Sequence, residues 1–205
     1  MKISTRRLVV IGMLAAISIV LGATPLGFIA LPFSPTKATI MHIPVIIGSI
    51  MEGPVVGLFI GLVFGGFSMY QAVAMPTSPA QFVFLDPIVA ILPRLCIAIT
   101  SYYTYVGIKR LFKDRDSSKG AKGSHMLASA FAGAVGTVTN TAGVLSAIYL
   151  RHGVEYAGKI GIPAAGLGKF LIGIAVTHGI PEIVVAIVIV SAVTGALQKI
   201  YNKGF

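Results

Sequence analysis

The chain has 205 residues, of which 56% are hydrophobic and 11% charged, whereas an ordinary soluble domain is about 25% charged. That balance excludes a soluble globular protein and indicates an integral membrane protein. A net charge of +10 does not make it a nucleic-acid binder, because the basic residues form no stripe with interleaved aromatics, and with no G-x-x-x-x-G-K-[ST] loop the chain cannot hydrolyse ATP by that route.

In chain order, apolar stretches predict six spans: 8–31, 39–51, 54–73, 87–112, 126–150 and 170–197. Apolar segments recur to the last residues, so the first is read as a span and not as a removed signal peptide. The expected fold is an all-α membrane protein, a single six-transmembrane-helix bundle over 1–205. The second segment is short against the roughly 20 residues a span needs, so it is expected to be tilted or irregular within protein. Residues 113–125, KDRDSSKGAKGSH, read as a cytoplasmic linker. With both termini cytoplasmic, eleven basic residues fall inside and four outside, the asymmetry of the positive-inside rule.

Small residues recur at four-residue spacing: Gly12 and Ala16 in the first span, Gly57, Gly61 and Gly65 in the third, Ala128, Ala132 and Gly136 in the fifth. Such stripes let helices approach closely in lipid. The loops after the first, third and fifth spans are rich in Pro and Gly, and read as binding loops or plain connectors. Cys96 is the single cysteine, a packing residue with no disulfide partner.

Arg94 lies about 12 Å inside the fourth span, where a cation is costly and marks either a buried pair or an anionic ligand. His178 and Glu182, one helical turn apart on one face, and Asn140 fall at nearly the same depth, about 12 to 18 Å from the outer boundary. Nearer the surface come His42, Tyr70, Gln71, Gln81 and Asp86. Pro44, Pro93 and Pro181 are expected to interrupt their helices and free carbonyls for a ligand or water. The structural alternative is an Arg94–Glu182 ion pair with Asn140 and His178 as helix-to-helix hydrogen-bonders, His42 interfacial and Asp86 a helix N-cap. Two ligands at one level do not make a metal site.

The segments TRRLVVIGMLAAISIVLG, TIMHIPVIIGSIMEGPVVGLFIGLVFGGFS and FVFLDPIVAILPRLCIAI, with six spans at this length, resemble the substrate-binding S components of energy-coupling factor (ECF) vitamin transporters, most closely the pantothenate-type members. The resemblance implies a bundle that holds a vitamin near its outer face under loop caps. It implies docking of Gly12 and Ala16, with glycine at the first position of an Ala-x-x-x-Ala motif, onto a transmembrane T component, and toppling to deliver the load when two partner ATPase subunits use ATP. The chain itself binds no cofactor and is not an enzyme, and its setting is a bacterial cell membrane. Arg94 is expected to hold the vitamin carboxylate, Asn140, His178 and Glu182 to contact its polar groups, and Tyr70, Gln81 and Lys37 to contribute from the rim. The absence of tryptophan argues against a large stacked ring, which favours pantothenate over folate or another small vitamin. A competing reading is a stand-alone secondary carrier for a small anion with Glu182 as a proton site. An intramembrane enzyme would need a nucleophile or metal motif, and neither H-E-x-x-H nor G-x-S-x-G occurs.

Overall fold

A computed structural model describes residues 4–29, 38–76, 78–112 and 118–201. Seven helices follow in order: α1 Thr5–Ala23, α2 Ile43–Glu52, α3 Pro54–Ala74, α4 Pro87–Ala90, α5 Leu92–Leu111, α6 Ser118–Ile160 and α7 Leu167–Tyr201. Between α1 and α2, strands β1 Phe28–Ile29 and β2 Ala38–Thr39 pair antiparallel, Phe28 opposite Thr39. A 3-10 turn over Pro79–Leu85 leads into α4.

Among the described residues five helical segments are long and apolar enough to cross a membrane, with α4 and α5 counted together as Pro87–Leu111. The second expected span is different. It is α2, ten residues and therefore only about 15 Å long, half of a typical hydrocarbon core. Every residue from Ile43 to Ile50 is buried, so along that length α2 meets protein and not lipid. Among the described residues the bundle is five helical segments of spanning length packed round one short apolar helix.

Three boundaries also move for local reasons. α1 stops at Ala23 and not near Leu31, because Pro25 forces Thr24 into an extended conformation (φ −121°, ψ 158°) and the Thr24 hydroxyl donates back to the Val20 carbonyl at 2.7 Å. α6 begins at Ser118 and so takes in part of the segment read as a linker. Its His125 is buried, with Nδ1 2.5 Å from the Tyr105 hydroxyl. Pro44 does not interrupt a helix but sits in the first turn of α2, where the missing N–H costs nothing, whereas beside Pro93 the expected span 87–112 breaks at Ile91 into α4 and α5, as a proline there leads one to expect. Pro181 lies within a helix, α7.

The chain reverses between α2 and α3 at Gly53, whose φ of +97° suits glycine. α3 then lies against α4 and α5 at backbone distance. A Cβ on Gly61 would stand 2.6 Å from the Arg94 carbonyl oxygen. The glycine stripe therefore fixes where α5, and Arg94 on it, begins. One apolar core surrounds α2. A second joins Val83 and Val89 to Val144 and Ile148 of α6 and Leu171 of α7. The polar cavity lies between them.

Candidate functional site

The cavity measures about 400 Å³ and is walled by α3, α5, α6, α7, the β1–β2 pair and the Pro79–Leu85 turn. Arg94 is its cation. In a continuous helix the Val89 carbonyl would accept from the N–H of residue 93, but Pro93 has none. Arg94 Nη1 supplies the missing donor at 2.8 Å. The guanidinium stands over the rings of Phe64 and Phe84, 5.0 and 5.3 Å from their centroids, two cation–π contacts. Arg94 is only 5% exposed, and its Nε has no hydrogen-bond partner.

Glu182 is equally buried, yet it does not pair with Arg94. Its Oε1 accepts from the Thr39 backbone N–H at 2.6 Å and its Oε2 from the Thr141 hydroxyl at 3.1 Å. It thereby ties β2 to α7. Among the described residues the ion pair that sequence reasoning allowed is not formed, because each partner is already held by its own neighbourhood. Asn140 Oδ1 is a buried acceptor with no hydrogen-bond partner. Its amide and the side chain of His178 line the same cavity. The site thus offers a fixed cation and an unsatisfied amide oxygen between aromatic and aliphatic walls. That is a mostly apolar pocket with a few directional polar groups, the usual form of a small-molecule site.

The model of the substrate-specific component of ECF transporters matches residues 6–194. The chain belongs to this family. It is a multi-pass membrane protein and a transporter subunit, not an enzyme; S components bind the substrate, and the ATPase activity of an ECF transporter resides in partner subunits. The S component is similar to the pantothenic acid transporter PanT of Lactococcus lactis subsp. cremoris, 30% identical over 187 residues, 84% of this chain and 83% of that one. It is also similar to the pantothenate transporter PanT of Leuconostoc mesenteroides subsp. mesenteroides, 29% identical over 183 residues, 89% of this chain and 84% of that one.

Of the residues singled out in the sequence, Arg94, Asn140, His178, Glu182 and Gln81 all line the S component's cavity. Tyr70 does not: it is exposed and contacts Phe67, with ring centroids 6.0 Å apart. Lys37 lies outside the described residues. His42 is fully buried, its Nε2 2.9 Å from the Thr137 hydroxyl, so it joins α2 to α6 and is not interfacial. Asp86 caps α4 by accepting from the Ile88 N–H at 2.9 Å and pairs with Arg151 and His152. These contacts hold its carboxyl below the usual aspartate range, the Arg151 hydrogen bond foremost. Gly12 and Ala16 are exposed on α1, and a Cβ on Gly12 would meet nothing within 4 Å.

Sequence reasoning did not assign Phe64, Phe84 or Thr141 to the site. Two phenylalanines among eleven carry no signal until the fold brings both against one guanidinium. Thr141 had a weak signal, its place beside Asn140. Gln71, noted only as near the surface, lines the cavity and donates to the Gly22 carbonyl at 2.7 Å.

Proposed function

We propose that this S component captures pantothenate from outside the cell and presents it to a T component served by two ATPase subunits, with both of its termini cytoplasmic. The observation that carries this reading is Arg94, a buried guanidinium in a small cavity with no acidic partner among the described residues. Its planar fork suits a carboxylate. In this reading Arg94 takes the vitamin carboxylate, while Asn140, His178 and Gln81 meet its amide and hydroxyl groups and Phe64 and Phe84 shape the wall. Glu182 holds the β1–β2 pair over the ligand, and Gly12 and Ala16 form the exposed face that docks on the T component. The pantothenate transporters at about 30% identity support the choice of vitamin.

The test is calorimetric titration of the purified protein with pantothenate, its alcohol analogue panthenol, and folate. Pantothenate is expected to bind well above the other two. Arg94→Ala is expected to lose about 100-fold in pantothenate affinity, within the cost of removing one partner of a buried charge pair. The same affinity for panthenol as for pantothenate would remove Arg94 from carboxylate recognition.

A further inference from the structure

At the far end of α5 from Arg94, about 22 Å along the helix, lies an open depression of about 600 Å³ bounded by Arg7, Glu52, Tyr102, Tyr105, Lys109 and Arg110, with Ile50, Met51, Gly53 and Val106 as its floor. We propose that this depression binds the phosphate of an anionic lipid headgroup.

The charges here are unevenly matched. The Glu52 side chain, 8% exposed, is bound by Arg6 at 3.0 Å and Arg7 at 3.6 Å, so the depression's one carboxylate is already occupied. Lys109 and Arg110 are exposed and have no acidic partner among the described residues. Lys109 Nζ stands 5.7 Å from the centroid of the Tyr105 ring, and the Tyr105 hydroxyl is tied to His125 of α6, so this cation rests on an anchored ring. The cations cluster where α1 begins and where α2 and α5 end; with the termini cytoplasmic, as proposed above, that end lies at headgroup level, and basic pockets between helices at that level suit lipid phosphates. A soluble anion would need only the charges. A lipid also needs apolar surface running inward, and Leu8 next to Arg7 and Leu111 next to Arg110 are 63% and 76% exposed, with Val9 and Met13 continuing along α1. A zwitterionic headgroup would bring a cationic ammonium to the same patch and bind less well.

The experiment is native mass spectrometry of the full chain in detergent, titrated with dioleoyl phosphatidylglycerol or dioleoyl phosphatidylcholine. Phosphatidylglycerol is expected to be retained at least tenfold more strongly. The double variant Lys109→Gln, Arg110→Gln is expected to lose about 30-fold of that retention, the worth of two cations at a lipid surface, while Lys109→Arg, Arg110→Lys keeps it. Both pairs are exposed at a helix end, and the single variant Arg110→Gln, expected to lose about fivefold, serves if the double variant unfolds early in a thermal scan. Equal retention of the two lipids, or undiminished retention in the Gln variants, overturns the proposal. Displacement of the lipid by millimolar inorganic phosphate overturns the lipid source in favour of a soluble phosphate. Loss of assembly with the T component at unchanged lipid retention reassigns the patch to that subunit and overturns it too.

Discussion

The two ends of the bundle handle buried charge in opposite ways. At the end where α1 begins, the buried acid Glu52 is held by two arginines of the same chain. At the cavity end, the buried cation Arg94 and the buried acid Glu182 line one space and ignore each other, one engaged by a carbonyl and two rings, the other by an N–H and a hydroxyl. A buried charge without an opposite partner is destabilising. The fold tolerates it here because the guanidinium has one fixed carbonyl and two aromatic faces, which leaves donors over for something the chain does not supply. A structural ion pair closes a site; an unpaired cation keeps one open.

The largest test of that contrast is Arg94→Met. It is expected to lower pantothenate affinity about 100-fold while leaving the ligand-free protein as stable as before or more so, since an unpaired buried charge is exchanged for an apolar chain of similar length. Titration calorimetry and thermal unfolding read the two effects, and a large fall in stability would mean that Arg94 is structural. Gly61→Val comes next. Its Cβ must displace the Arg94 backbone, at a cost of about 1–3 kcal/mol read in thermal unfolding, with weaker ligand binding because the guanidinium moves. Gly12→Val, which meets nothing, is expected to leave stability unchanged and to weaken only co-purification with the T component.

Glu182→Gln keeps an acceptor for the Thr39 N–H but removes a negative charge from the cavity, and is expected to raise anion affinity about fivefold. A fall in titration would show that anchoring β2 outweighs the charge. The smallest effect belongs to Asp86. Its carboxyl titrates below the ordinary aspartate value in the folded state, so the stability it contributes is complete above the unfolded value near pH 4 and is lost as pH falls through the lower folded value. Thermal unfolding from about pH 6 to 3 is expected to show a shallower acid decline in Asp86→Asn than in the parent.

Arg94, Asn140, His178 and Glu182 were legible as a group because an intramembrane polar residue is rare and helical counting gives its depth. Their partners were not. Depth alone allowed Arg94 and Glu182 to pair, whereas lateral position and the local neighbours decide: Pro93 leaves the Val89 carbonyl open to Arg94, and β2 brings the Thr39 N–H to Glu182. Tyr70, expected at the rim, does not line the cavity, since closeness to a helix end says nothing about which side of the helix faces inward. His42 was misread because a short apolar helix has no periodic signal to separate a membrane surface from a protein interior.

By itself the sequence determined the membrane class, most of the helices and the level of the polar residues, because apolar length and residue count are one-dimensional properties that a bilayer reads directly. The tertiary structure alone decided that α2 is a ten-residue helix buried from Ile43 to Ile50, that α3 meets α5 at Gly61, and that Arg94 stands against Phe64 and Phe84 with no acidic partner among the described residues. These depend on how helices rotate and approach one another, which close packing of small residues sets in three dimensions.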